Sequence, residues 1–411
     1  MKGKFAYYKL FMPAVLIAAL SMASCSSEID DLNGGDFADS ENTLAFSLRT
    51  PTGGKVSYSR ADGTPLHDEP EYAVKSLQLY EYEVTESEEG KKTTSLCRIL
   101  SYPTGTGKNV IDLKDGGNGS YSFSIVIPAD YKNRTFTYRV VANNATTNVK
   151  TGDSVEKFRD NWFSAVILKN TTVQPETSDG EDGDETATPA EPITVSPKGG
   201  ALADSKKGIA MTGSAKAKTS GSDEITIGQT TQCEVELTRI VSRIDLRYAT
   251  PNLKLTKVEL RRAPVKTYLW PRFSEDGTTP LYAEVDTLKI DLNSTLTLPD
   301  YYLNDEGHEA EKAAGIDLKK AFYMYERANT EENSAYVHLE YMVNANSTEY
   351  KGVLDVPFRR TSGDKAYIDT KRNHLYTIVL GNNDDPVSGK VSATLIVDDW
   401  NLVEIDEPIT D

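Results

Sequence analysis

Hydrophobic and polar residues alternate along most of the chain, in segments of about five to ten residues. In the first half the alternating segments are TLAFSLR, with Leu44, Phe46 and Leu48 on one face, LQLYEYEV, SYSFSIVIP and TFTYRVVA. Because successive side chains of a strand point to opposite faces of a sheet, this pattern predicts half-buried antiparallel strands. One segment differs: residues 154–166 place apolar side chains three or four residues apart, which predicts a helix.

The second half repeats the alternating pattern from about residue 229 onwards. Its segments are CEVELTRIVSRIDLRY, LKLTKVELRRAPVKTYLWP, KKAFYMYERAN, SAYVHLEYMV, YKGVLDVPF, RNHLYTIVLGNN and KVSATLIVDDWNLVEI. Short strands separated by Gly, Pro and Asn clusters are typical of antiparallel sandwiches. The pattern therefore predicts an all-β fold, and the length of 411 residues favours two domains, each able to bury a core.

Between the two halves, residues 174–200 are acidic and rich in Pro, Gly and Thr. Such a composition cannot bury enough apolar area to offset the entropy of ordering it, so it predicts an exposed loop insertion. A Ca²⁺ site is the alternative, because Asp179, Asp182 and Asp184 are spaced like loop ligands. The bidentate glutamate of a Ca²⁺-binding loop is not at its expected position, which favours the solvated loop.

The N-terminus has the order of a secretory signal. Three lysines precede an apolar stretch at residues 11–19, and Ala23 and Ser24 then precede Cys25. The stretch is shorter than the roughly 20 residues that a membrane-spanning helix needs. MASC is similar to a bacterial lipobox, which predicts a signal peptide at residues 1–24 and a lipidated Cys25. The alternative is an ordinary signal with an incidental cysteine.

The net charge argues against some partners, and the cysteine content argues against a metal site. Residues 1–24 hold three lysines and no acidic residue, so their removal changes the net charge from −17 to −20. Such a surface repels nucleic acid and anionic headgroups, and we expect no nucleic-acid partner. Cys97 and Cys233 lie far apart in the sequence and are expected in different domains, so buried free thiols are predicted rather than a disulfide. With neither a CxxC nor a Cys/His cluster, the sequence predicts no metal or cofactor.

The sequence predicts no catalytic residue. The PTGTGKN segment at 103–109 lacks the spacing of a phosphate-binding loop, and the neighbours Asp398 and Asp399 would point to opposite faces of a strand. The histidines are isolated from any nucleophile motif; they are His67, His308, His338 and His374. We therefore expect that the chain is not an enzyme.

Several stretches, taken in order, resemble the fimbrillin family of Bacteroidales surface fimbriae. They are the lipobox start, VKSLQLYEYE, RVVANNA, IAMTGSA, LTRIVSRIDL, AFYMYERAN, KRNHLYTIVLGN and ATLIVDDWN. The resemblance implies two tandem transthyretin-like (Greek-key) β-sandwich domains with little helix, at residues 61–222 and 223–400. It also implies a structural subunit of a cell-surface fimbria that supports adhesion and is exported as an outer-membrane lipoprotein. The acidic insertion at 174–200 departs from the family pattern.

The resemblance further implies polymerisation by strand exchange. In that family an Arg-specific protease removes a lipidated propeptide together with the first strand, here residues 25–60 with Leu44, Phe46 and Leu48. The cut would fall between Arg60 and Ala61, in a stretch rich in Gly, Asp and Pro, with Arg49 as the second choice.

A strand from a neighbouring subunit would then fill the groove. We expect residues 401–411 to be this donor tail, with Leu402, Val403 and Ile405 as its apolar anchors. The implied partners are other copies of this chain, related fimbrial subunits, the membrane lipid on Cys25, the protease, and a receptor on a host or bacterial surface.

Two alternatives stay open. An anchor or tip subunit of the same family would keep its lipid on Cys25. A surface glycan-binding lipoprotein would use exposed aromatic side chains, for which Trp162, Trp270 and Tyr268 are the candidates. Aromatic residues in strands belong more often to the core.

Overall fold

The computed structural model describes residues 43–51, 69–104, 109–117, 119–144, 149–159, 162–164, 208–264, 266–274, 277–283, 287–291, 298–302, 304–307, 315–345, 348–360, 365–382 and 391–399. The predicted signal peptide, Cys25, Arg60, Ala61, the acidic insertion and the donor tail lie outside these ranges. None of the helices within them is long and apolar enough to cross a membrane.

The described residues form strands almost throughout. The first eleven strands are β1 (Thr43–Arg49), β2 (Leu77–Glu86), β3 (Lys92–Tyr102), β4 (Lys114–Gly117), β5 (Ser120–Val126), β6 (Thr135–Ala142), β7 (Trp162–Ser164), β8 (Met211–Ala217), β9 (Ile225–Thr226), β10 (Gln232–Glu236) and β11 (Thr238–Arg239). The others are β12 (Val241–Tyr248), β13 (Leu253–Pro264), β14 (Lys266–Tyr268), β15 (Arg272–Phe273), β16 (Pro280–Leu281), β17 (Thr287–Asp291), β18 (Ile316–Tyr325), β19 (Tyr336–Ala345), β20 (Thr348–Pro357), β21 (His374–Asn382) and β22 (Val391–Asp399). The helices in these ranges are α1 (Glu69–Tyr72), α2 (Val155–Arg159) and a 3₁₀ turn at Ala129–Tyr131.

The ten-stranded sheet, which the first part of the chain forms, folds over on itself. Its strands pair in the order β3-β2-β6-β8-β10-β1-β5-β4, and β9 and β11 pair beside β6 and β8. In a flat sheet β1 and β6 would lie three strand spacings apart, about 14 Å. Instead the rings of Phe46 in β1 and Tyr138 in β6 have centroids 5.3 Å apart. The two ends of the sheet therefore face each other as the layers of a sandwich.

The turn between the layers lies in β8. Its first residues, 211–214, pair with β6, and its last residues, 215–217, pair with β10. Gly213 sits where the layers approach, and a Cβ atom there would lie 2.5 Å from the Glu236 carbonyl oxygen and 2.8 Å from Val235 Cγ1. No residue with a side chain fits this position without moving the backbone of β10.

Two four-stranded sheets, β18-β12-β21-β22 and β17-β13-β19-β20, form the C-terminal part of the fold. Ile244 and Phe322 of one sheet share an apolar cluster with Val258 and Leu339 of the other. All four side chains are at most 1% exposed. The sheets therefore enclose a second core between them.

The prediction of an all-β sandwich fold is confirmed, with two differences in detail. The predicted helix is correct only for Val155–Arg159, because residues 162–164 form β7 and pair with β14. Strands β9, β10 and β11 follow the predicted domain boundary at 222/223 but pair with β6, β1 and β8 of the first sheet. Residues 42–411 form one compact unit, and the division into two domains stays a prediction.

A buried ion cluster connects α1 to the sheet β18-β12-β21-β22, which carries Arg243 and Tyr323. Each Glu71 carboxylate oxygen accepts a hydrogen bond from Arg243 at 3.2 Å, and one also accepts from the Tyr323 hydroxyl at 2.9 Å. Arg243 makes two further bonds to Asp245, at 2.7 and 2.8 Å, and Arg239 Nε donates to the Glu71 carbonyl at 2.9 Å. Burial lowers the pKa of Arg243, but the charges of Asp245 and Glu71 outweigh it and leave the pKa raised.

We expect Glu71→Ala to lower the free energy of unfolding by about 3 kcal/mol, because it removes one of the two carboxylates that pair with the buried Arg243 guanidinium and leaves Asp245 as the other. Urea denaturation measures this change. The control is Glu224→Ala, which breaks a solvent-exposed pair with Lys92 at 2.7 Å and should leave the stability nearly unchanged. Equal effects of the two substitutions would contradict a structural role for the cluster.

Candidate functional site

The predicted first strand lies in the interior of its sheet. β1 pairs antiparallel with β5, so that Phe46 faces Phe123, and parallel with β10, so that Phe46 also faces Cys233. Both ladders run through most of the strand. An N-terminal segment thus supplies a central strand whose removal would leave unpaired N–H and C=O groups on β5 and β10.

The inward side chains of β1 are the three that the sequence predicts. Leu44, Phe46 and Leu48 are each at most 1% exposed. The Phe46 ring stacks on Phe123 with centroids 4.8 Å apart and an interplanar angle of 7°, and it meets the edge of Tyr138. Burial of each apolar side chain contributes roughly 1.5–3 kcal/mol, so β1 is a substantial part of the first core.

We define the β1 slot as the surface that β1 covers on its two neighbouring strands and on the opposite layer. Its apolar lining consists of Tyr121, Phe123 and Ile125 of β5, Cys233 and Val235 of β10, and Tyr138 of β6. Because β10 follows β1 in the sheet but comes far later in the chain, the slot joins elements that are distant in sequence. Emptying it would expose a long apolar groove with two unpaired strand edges.

The backbone at the end of β1 is paired, which matters for Arg49, the second choice of processing site. The Arg49 carbonyl accepts a hydrogen bond from the Leu237 amide at 2.8 Å, and its neighbour Thr50 donates to the Gly119 carbonyl at 2.9 Å. Proteases cut exposed, unpaired backbone more readily than backbone inside a sheet. The geometry therefore disfavours a cut after Arg49, while Arg60 lies outside the described residues.

Cys233 lies on β10, beside Phe46 of β1, as a buried free thiol. It is 1% exposed, and burial raises its pKa to about 12. Cys97, on β3, is a free thiol of intermediate exposure. Both thiols are free as predicted, but Cys97 is not fully buried, and the two lie on strands of the same ten-stranded sheet rather than in separate domains. The alternation of Cys233 with Val235 was the signal that Cys233 points inward.

The C-terminal strand β22 pairs with β21 at the end of its sheet. Leu395 is buried, whereas Ile396 and Val397 are each more than 40% exposed. The residues proposed as donor anchors, Leu402, Val403 and Ile405, lie outside the described ranges.

Of the aromatic residues proposed for glycan binding, Tyr268 and Trp270 are each partly buried and each lie beside an arginine. The Arg272 guanidinium lies 4.9 Å from the centroid of the Tyr268 ring, and that of Arg139 lies 5.7 Å from the Trp270 ring. Trp270 also packs against the apolar cluster of the second core. For Trp162, the structure describes only the backbone pairing with Tyr268.

Each of the two described histidines makes a polar contact with a nearby residue. His338 Nδ1 lies 2.6 Å from an Asp355 oxygen, and His374 Nδ1 lies 2.9 Å from the Arg372 carbonyl. His67 and His308 lie outside the described residues. Among the residues that the structure describes, no group of three or more His, Cys, Asp or Glu side chains could hold a metal ion.

Comparison with known proteins gives structural neighbours alone. No family model matches the sequence, and no curated protein matches it significantly. The fold is similar to the C-terminally truncated tip fimbrial protein Mfa3 of Porphyromonas gingivalis, with 15% identity, a TM-score of 0.42, and coverage of 87% of this chain and 99% of Mfa3.

Two further neighbours are more distant. They are a protein of Bacteroides ovatus described as a cell adhesion protein (11% identity, TM-score 0.33, 89% and 100% coverage) and the fimbrial anchor protein Mfa2 of P. gingivalis (9%, 0.26, 87% and 98%). At such identities and TM-scores they assign neither family membership nor activity to this chain.

We expect Phe46→Ala to lower the free energy of unfolding by about 3–5 kcal/mol, because it leaves a cavity between Phe123 and Tyr138. Chemical denaturation of the full chain measures the loss. Ser47→Ala, one residue away on the opposite face, should change the stability by less than about 0.5 kcal/mol. Similar losses for the two variants would show that β1 is not a core strand.

Proposed function

We propose that this chain is a structural subunit of a cell-surface fimbria, exported as a lipoprotein and assembled by exchange of its first strand. The observation that carries the proposal is the position of β1. It fills an interior slot, yet it is joined to α1 only through residues 52–68. One cut in that segment separates β1, together with Cys25, from everything that follows.

The physical consequence of such a cut supports assembly. Once β1 leaves, two strand edges and an apolar groove face water, and both are unfavourable until another extended segment pairs there. A strand from a neighbouring subunit restores the ladders and the core at once. The release of a lipid-bearing strand would also free the subunit from the outer membrane.

Processing between Arg60 and Ala61 fits this proposal better than processing after Arg49. A cut after Arg49 would have to open a paired strand. We assign residues 25–60 as the propeptide and residues 401–411 as a donor tail that enters the slot of another subunit. The partners are then other copies or related subunits, the Arg-specific protease, the membrane lipid before processing, and a surface receptor contacted by the finished fimbria.

The N-terminus of the protein recovered from the cell surface tests processing. We expect it to begin at Ala61, and Arg60→Ala should leave the precursor intact on the membrane. Arg49→Ala is the matched control and should be processed normally. An acylated Cys25 on the surface protein of an assembled fimbria would instead mean an anchor or tip subunit that keeps its lipid.

Labelling of Cys233 tests whether the slot opens. In a Cys25→Ser/Cys97→Ser protein, Cys233 is the single thiol. The raised pKa and burial of this thiol should make its reaction with a maleimide at least about 100-fold slower in the intact chain than after β1 is released. Adding a peptide with the sequence TLAFSLR should restore protection.

Cys97 provides the control for that measurement. In a Cys25→Ser/Cys233→Ser protein the remaining thiol lies on β3, which does not pair with β1, and its labelling rate should change much less on release. Equal labelling of Cys233 before and after release would mean that β1 does not cover the slot reversibly.

Truncation after Trp400 tests the donor tail. Because the tail would act in another subunit, the truncated protein should fold with unchanged stability and fail to polymerise. Gel ladders of detergent-resistant polymers report assembly, and circular dichroism reports folding. Normal ladders from the truncated protein would refute the role of Leu402, Val403 and Ile405.

A further inference from the structure

The β1 slot contains a pocket shaped for one aromatic ring. Phe46 lies between a parallel ring, Phe123, and a perpendicular ring, Tyr138, with centroid distances of 4.8 and 5.3 Å. Leu44 and Leu48, two residues away on either side, complete the inward face of the strand. The slot thus receives an aliphatic, an aromatic and an aliphatic side chain at alternate positions.

Contacts that do not involve β1 link the strands that form the walls of this pocket. Glu81, which is fully buried, pairs with Arg98 through bonds of 2.8 and 3.1 Å, and Arg98 also donates to the Val126 carbonyl at 3.0 Å. Tyr138 is the partner of Glu81 in the β2–β6 ladder, and its ring contacts Phe46. Burial and then the Glu81 charge raise the pKa of Tyr138. Close-packed interiors collapse only partly around a missing side chain, so a smaller occupant would leave a void.

The proposed donor tail does not match the pocket. Its alternate residues in one phase are Asn401, Val403, Ile405 and Glu407, and in the other phase Leu402, Glu404 and Asp406. Residues 401–411 contain no aromatic side chain. If Val403 lies beside Phe123, Asn401 is buried at a leucine position. If Ile405 lies there instead, Glu407 is buried at a leucine position. Both statements hold for either strand direction. Burying such a group without a partner is unfavourable.

We infer that the strand that fills the β1 slot in an assembled fimbria comes from a different kind of subunit, and that this strand carries an aliphatic–x–aromatic–x–aliphatic pattern like that of β1. The inference rests on the proposed function, because it names the partner of the exchange. The tail of this chain then enters the slot of another kind of subunit, and the chain is a junction between unlike neighbours.

Competition between peptides tests the inference on the full chain, cut once between β1 and α1. The peptides are TLAFSLR, the same peptide with Phe46→Val, the same peptide with Leu48→Val as the matched control, and NLVEIDEPITD from residues 401–411. Displacement of a fluorescently labelled β1 segment gives the relative affinities. The cut protein keeps β1 in place until a competitor replaces it, so the measurement does not require an empty slot to be stable.

We expect Phe46→Val to weaken binding by at least about tenfold, through loss of the stacked rings and of apolar area. Leu48→Val, which removes one methylene group, should weaken it only about fourfold. The tail peptide should bind at least about tenfold more weakly than TLAFSLR.

Two other results would separate failure of the inference from failure of strand exchange. Equal displacement by the tail peptide and TLAFSLR would overturn the inference and leave strand exchange standing, because the chain would then accept its own tail. If no peptide displaces β1, not even TLAFSLR, the exchange itself fails and the inference fails with it.

Discussion

The first sandwich depends on the pairing of β1 between β5 and β10. This one strand supplies two ladders of backbone hydrogen bonds and three side chains of the core. In most sheets a segment near a chain terminus can be accommodated at an edge, where its loss exposes one strand. Here its loss divides a sheet and opens the core, so something must occupy the position. That constraint links the fold to the proposed assembly.

The two ends of segment 52–68 are held by different interactions. On one side, β1 is held by apolar contacts and backbone pairing, which an equivalent strand can replace. On the other side, α1 is held by Glu71, whose buried carboxylate pairs with Arg243 and accepts a hydrogen bond from the Tyr323 hydroxyl. Separating that carboxylate from its partners inside the fold would be costly. In the proposed processing, a cut between β1 and α1 leaves α1 in place and makes only β1 exchangeable. The aromatic pocket around Phe46 adds a requirement on what replaces it.

Local periodicity was enough to predict the strands and the inward face of β1, because Leu44, Phe46 and Leu48 alternate without interruption. It was not enough to predict that β1 is central or that β10 is its parallel neighbour, since that pairing joins residues far apart in the chain. Glu71 and Arg243 look like surface residues in the sequence, because their burial depends on partners from other elements. The predicted helix at 154–166 failed beyond Arg159 because residues 162–164 found a strand partner in β14.

Hydrogen exchange of the Leu237 amide reports whether β1 holds the first sandwich closed. This amide donates to the Arg49 carbonyl of β1, whereas the amides of β2 pair with β3 and β6 and serve as internal controls. If β1 closes the sandwich, this amide exchanges slowly in the intact chain, fast once β1 has been released, and slowly again in assembled fimbriae. Unchanged protection after release, with the β2 amides also unchanged, would show that β1 does not hold this sandwich closed.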